Sequence, residues 1–236
     1  IDNVAFQDQF GGEVVIMSFR GDDDKTVADL VAGDNGVELD RIETELRAIP
    51  EAYAVITPYT SVRFSESVVQ ESVGTNALLA AVQREDSEEA MAARQADISV
   101  TLERLGAAGE EDFANPGWVN FLIFGNDENI RGSLQSTFPN EQTAVGGVLL
   151  NANADLDTQS AGTTAILDIV ESAELDGFEI VVTGSPVFLG EINDYLQGGM
   201  LTLGAAALAV MAFVLFFLFR VRWRLLPLLG VILGIV

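Results

Sequence analysis

The sequence predicts an α+β domain followed by transmembrane α-helices. Three observations carry that reading. Upstream of residue 199, short β-rich runs alternate with segments whose apolar residues recur at helical spacing. Residues 200–219 read MLTLGAAALAVMAFVLFFLF, 20 residues with no charge and one hydroxyl, Thr202. Charge divides at the same place: all 36 acidic residues lie at or before Asp194, whereas Arg220, Arg222 and Arg224 lie beyond it.

The elements follow in order. Residues 13–19 (EVVIMSF), after Gly11-Gly12, predict a strand. Residues 20–36, rich in Asp and Gly, predict a loop. Residues 37–49 carry apolar side chains at Leu39, Ile42, Leu46 and Ile49, which predicts a helix capped by Asp34 or Asn35 and stopped by Pro50. Residues 52–57 (AYAVIT) predict a second strand, closed by Pro58. Residues 65–108 predict two helices broken near 84–87. One stripe comprises Val68, Val69, Ala77, Leu78, Ala81 and Val82; the other comprises Met91, Ile98, Leu102 and Leu105. Such stripes are usually core, and the competing use is to line a lipid-binding groove. Residues 118–124 (WVNFLIF) predict a strand, and Gly125-Asn126-Asp127 a turn. Residues 142–151 predict a strand and 158–173 a helix with Ile166, Ile169, Val170 and Ala173 inward. Residues 178–183 (FEIVVT) predict the last strand.

Setting aside a helical insert over about 60–115, the order is strand, helix, strand, strand, helix, strand. That is the split βαβ, ferredoxin-like pattern, with 118–124 as an added strand.

The apolar run at 200–219 is long enough to cross a hydrocarbon core of about 30 Å at about 1.5 Å per residue. The link 220–224 then holds three arginines and no acid. Short arginine-rich loops sit in the cytoplasm, so Arg220, Arg222 and Arg224 set the topology and Trp223 rests at the headgroup level. Residues 225–236 (LLPLLGVILGIV) read as the truncated start of the next helix, with Pro227 in its first turn. Residues 1–198 are then extracytoplasmic, and the chain reads as a fragment of a longer multi-pass protein of the cell membrane. A short helix is expected near 187–197, which either bends at Gly198-Gly199 or runs on into the membrane. Those two glycines are the hinge candidates, because each lowers helix propensity by about 1 kcal/mol relative to Ala.

Composition removes several function classes. The net charge is −24, and residues 1–199 carry nine basic side chains against 36 acidic ones, a net of −27. Such a surface repels nucleic acid. One lysine beside eleven arginines fits a salt-adapted, halophilic source, and equally a GC-rich genome. There is no cysteine, which excludes a disulfide framework and a thiolate zinc site. There is no histidine, the commonest general base and metal ligand. Gly184-Ser185-Pro186 therefore lacks the partner of a nucleophile elbow. Asn151, Asn153, Asp155 and Asp157 have the spacing of calcium ligands but not the loop glycine or distal glutamate, and a polar helix start explains them as well. No catalytic residue, metal site or cofactor is expected, and the chain is read as a non-enzyme.

Residues 182–236 carry a resemblance. A strand ends in Thr183-Gly184-Ser185-Pro186, a short helix leads into the membrane run, and Phe219-Arg220-Val221-Arg222-Trp223-Arg224 precedes Leu225-Leu226-Pro227. This ordered set resembles the junction in resistance-nodulation-division transporters, most of all the mycobacterial-membrane-protein-large branch with its lipid and hopanoid exporters. The resemblance implies that residues 1–198 are a porter domain between the first and second transmembrane helices. Thr183, Gly184 and Pro186 would form the porter-to-membrane turn. It implies proton-driven export of lipids or other hydrophobic or amphiphilic compounds. The proton relay would lie on later helices, since residues 200–219 hold no ionisable group. The partners implied are the lipid bilayer, the amphiphilic substrate and the remaining transmembrane helices of the same protein, with a homo-oligomer left open. The alternative is a non-transporting receptor, scaffold or protein-translocation accessory factor built on the same outer domain.

Overall fold

The computed structural model describes residues 12–73, 87–152 and 154–218, and the chain divides into two compact units after Val187. The first unit opens with β1 (Val14–Gly21), α1 (Val27–Val31), α2 (Gly33–Ala48) and β2 (Ala52–Ile56). Three helices follow, α3 (Pro58–Val73), α4 (Glu88–Ala108) and α5 (Pro116–Ile123). Then come β3 (Thr143–Leu150), α6 (Leu156–Glu171) and β4 (Phe178–Thr183). The last element, α7 (Ser185–Leu218), begins in the first unit and from Phe188 makes up the described part of the second.

The class is mixed helix and sheet, as the sequence predicts. The four strands form one antiparallel sheet in the order β2-β3-β1-β4. Strand side chains alternate between faces. One face therefore buries Val15, Met17 and Phe19 of β1 with Ala144, Val148 and Leu150 of β3. Against this core lie Leu39, Ile42 and Leu46 of α2, the predicted stripe, and Ile166 of α6. Each such side chain contributes roughly 1.5–3 kcal/mol of burial free energy. The other sheet face leaves Val14, Ile16, Ile56 and Val181 exposed.

Four expectations are corrected. Residues 118–124 are not a strand: α5 occupies Pro116–Ile123. Asn115 caps it by accepting the Gly117 N–H at 3.0 Å, and Pro116 sits where its missing N–H costs nothing. Trp118, Val119, Phe121, Leu122 and Ile123 are all buried, so no polar face marked the helical period.

Residues 20–36 are not one loop. Arg20 and Gly21 extend β1, and α1 follows with Val27, Leu30 and Val31 fully buried. Asp29 accepts both the backbone N–H and the hydroxyl of Thr26 at 2.8 Å, which fixes the helix start. Five residues are too few to display a period.

Neither Asp34 nor Asn35 caps α2, whose N-cap is Ala32. Asn35 is buried, donates to the carbonyls of Asp29 and Asp176, and accepts the Asp176 N–H at 2.8 Å. It ties the helix to the approach to β4.

Finally, α3 starts at Pro58 rather than near residue 65. The Thr57 hydroxyl accepts the Thr60 N–H at 3.1 Å and caps it. In α4, Met91, Ile98 and Leu105 are half-buried as a stripe, but Leu102 is exposed. Of the first stripe, Val69 packs partly against the core and Val68 is exposed. Ala77, Leu78, Ala81 and Val82 lie outside the described residues.

Candidate functional site

A groove of about 710 Å³ opens on the first unit, within the range of roughly 300–1,000 Å³ usual for small-molecule sites. One wall is a single face of α3: Thr60, Ser61, Phe64, Ser65, Val68 and Val69. These positions recur at helical spacing, so one stripe of the helix presents them together. The floor is Leu122 of α5 and Leu134, both buried. The opposite wall is the segment 131–137, which supplies Arg131, Ser133, Ser136 and Thr137, and Ile56 of β2 closes one end.

Hydrogen bonds set the walls in place. Ser61 and Thr137 hydroxyls lie 3.0 Å apart and join α3 to the opposite wall. Glu43 reaches from α2 to accept the hydroxyls of Thr57 and Thr60, both at 2.5 Å, and pairs with Arg47 at 2.9 Å. Burial pushes the Glu43 carboxyl up. The three hydrogen bonds from Thr57, Thr60 and Arg47, with the charge of Arg47, outweigh it and hold the group below its ordinary value. Trp118 donates its indole N–H to Glu66 at 3.0 Å and stacks on Phe121 at 5.7 Å, which locks α5 under α3.

Arg131 is fixed by main chain. Its Nε donates to the Leu122 carbonyl at 3.1 Å and its Nη2 to the Phe121 carbonyl at 2.8 Å. Its guanidinium lies 5.4 Å from the centre of the Phe121 ring. The groove as a whole offers an apolar floor, a hydroxyl rim and one cation. It can bind and orient a molecule; among the described residues no group of three or more acidic side chains is placed to hold a metal ion.

The residues singled out in the sequence fall elsewhere. Thr183 ends β4, and Pro186 lies in the first turn of α7. Gly184 between them has φ of 139°, where a Cβ would collide with the Val14 carbonyl oxygen. Asp155 caps α6 by accepting the Thr158 N–H at 2.8 Å, and Asn151 donates to the Pro50 carbonyl at 2.9 Å; Asn153 lies outside the described residues. Gly198 and Gly199 lie inside an unbroken α7, with open space around both. Among the described residues α7 is the one helix long and apolar enough to cross a membrane. Its Met200, Leu201, Leu203 and Phe213 are exposed. Arg220, Arg222, Trp223, Arg224 and residues 225–236 lie outside the described residues. Of the stripe offered as a lipid-binding groove, Val68 and Val69 do line this one, whereas Arg131 and the serines share no motif. A further signal is the spacing of Thr60, Ser61, Phe64 and Ser65, which only a helix started at Pro58 brings onto the same face as Val68.

Compared with known proteins, residues 58–236 match the model of the MMPL family. No curated protein matches the chain.

Proposed function

The chain belongs to the MMPL family, membrane transporters of the resistance-nodulation-division superfamily, and from that premise we propose that it is part of a proton-driven exporter of lipids or other amphiphiles. The observation that carries this is the extent of the family match, which begins at the first residue of α3 and so takes in the groove except Ile56, as well as α7. The first unit is then an extracytoplasmic porter domain. Its strand order β2-β3-β1-β4, with β3 antiparallel between β1 and β2, supports the ferredoxin-like, split βαβ reading. At about 1.5 Å per residue the 34 residues of α7 exceed a hydrocarbon core of about 30 Å, so the helix crosses the bilayer with turns to spare.

Transport is tested in proteoliposomes carrying the full-length protein and a fluorescent amphiphile. An imposed proton gradient should drive export, and a protonophore should stop it. Export indifferent to the gradient would remove proton coupling, and no export of any amphiphile would leave the scaffold alternative. Topology is tested separately, since this chain holds no native cysteine. A cysteine at exposed Ser67 should react with an impermeant maleimide in intact cells, and one at Val221 should not. The reverse pattern would overturn the orientation.

A further inference from the structure

We propose that the groove selects an amphiphile with an anionic head, held at Arg131, with its apolar chain against Ile56, Phe64 and Val68. This deepens the exporter reading, on which it rests.

Acids outnumber bases 36 to 12 in this chain. Lys25, Arg41, Arg47 and Arg63 each lie in an ion pair with a neighbouring carboxylate. Among the described residues Arg131 does not, and it is the one charged side chain lining the groove among them. Its two bonds go to main-chain carbonyls, which orient the guanidinium without neutralising it. Among the described residues its Nη1 makes no hydrogen bond. Burial pushes the guanidinium below its ordinary value, and repulsion from Arg104 adds to that; Asp127 and Asp97 each oppose it by less. A half-buried cation held by main-chain carbonyls, with no carboxylate paired to it among the described residues, is stabilised by an anion delivered to it. A guanidinium fork matches a carboxylate or phosphate head, and Ser133 and Ser136, exposed in the same lining segment, offer hydroxyls to it.

The second half of the ligand follows from the opposite wall. Phe64 is 71% exposed, Ile56 59% and Val68 48%. Three large apolar side chains left in water and converging on one groove are stabilised by an apolar chain laid along them. A free inorganic anion would leave that wall wet. A neutral hydrocarbon would leave Arg131 without a counter-charge. An anionic amphiphile satisfies both.

The test uses the full-length protein in neutral detergent, with a fluorescent long-chain fatty acid, the matching long-chain alcohol and inorganic phosphate. The fatty acid should bind at least about tenfold more tightly than the alcohol, the order expected of charge-assisted hydrogen bonds to a guanidinium. R131Q should bring the fatty acid down to the alcohol and leave the alcohol unchanged. S136E, at an exposed position that leaves the carbonyl bonds of Arg131 intact, should do the same by repulsion, and serves if R131Q fails to fold. F64S should weaken both ligands. Equal binding of acid and alcohol in the native protein, or a preference that survives S136E, overturns the proposal. Displacement of the fatty acid by phosphate at equal concentration overturns it in favour of a free-anion site. These outcomes are separate from the export reading. Selective binding with no export of any amphiphile removes the exporter and keeps the site, whereas export with no head-group preference removes the site alone.

Discussion

Glu43 reaches from α2 to the start of α3, where it accepts the hydroxyls of Thr57 and Thr60 while Arg47 covers its other oxygen. It is buried, so removing its charge leaves two hydroxyls and a guanidinium short of an acceptor. Glu43→Gln should therefore cost about 1–3 kcal/mol at neutral pH, read as a lowered melting temperature. The pH dependence has a definite sign. The folded carboxyl titrates below its ordinary value, so its contribution is fully present above about pH 4.3 and is lost as pH falls through the lower folded value. Acidification also relieves repulsion among the other acids. The informative quantity is thus the difference between native protein and Glu43→Gln, which should shrink towards zero below about pH 4. A difference that stays constant down to acid pH would mean that Gln disturbs packing and that charge is not the cause. Gly184 makes a simpler case at the same scale. With φ of 139° and the Val14 carbonyl in the way, Gly184→Ala should destabilise the β4–α7 turn, whereas Ser185→Ala beside it should be nearly neutral.

At the scale of elements, α7 decides between the two expected forms of the junction: it runs unbroken through Gly198 and Gly199. A Cβ at either glycine meets nothing within 4 Å, so the pair packs against no described part of this chain. The Thr202 hydroxyl donates to the Gly198 carbonyl at 2.8 Å, a back-bond that favours a slight bend at the same turn. Replacing both glycines by Ala should stabilise the helix by about 1 kcal/mol per residue while adding little volume. If compliance here matters, gradient-driven export by the full-length protein should fall while expression stays normal. Unchanged export would dispose of the hinge, and loss of folding would point to helices that pack on the glycines. The elements also show what was legible. Strands with one buried face announced themselves, and β4 matches the expected residues 178–183 from end to end. So did α2, with Leu39, Ile42 and Leu46 a turn apart. Elements mostly buried or very short did not: α5 hides its period because five of its eight residues are apolar and buried, and α1 has five residues. The groove was legible only through Val68 and Val69, since its cation and its hydroxyls come from segments that meet only in the fold.

For the whole molecule the dominant unpaired quantity is charge. Among the described residues, ion pairs engage the carboxylates of Glu38, Asp40, Glu43, Glu45 and Asp176, out of 36 acidic residues in the sequence. Most of these pairs are exposed at one or both partners and contribute little each. With 36 acids against 12 bases, like charges repel across the molecule, which favours expansion over the compact state. Salt screens that repulsion, with a Debye length of about 10 Å at 0.1 M and about 3 Å at 1 M. The melting temperature of the purified protein should therefore rise steeply with sodium chloride between those concentrations at pH 7. A second effect mimics this one, because some salts strengthen apolar burial by exclusion from the surface. The two separate on acidification. Near pH 4 about half of the carboxylates are protonated, so screening has less to act on, whereas exclusion is unaffected. A salt response that is large at pH 7 and much smaller at pH 4 identifies relieved repulsion, as a salt-adapted protein requires. An equal response at both pH values assigns it to exclusion. A melting temperature flat with salt at pH 7 means that the acids are spaced widely enough for their repulsion not to limit stability, and the halophilic reading then fails.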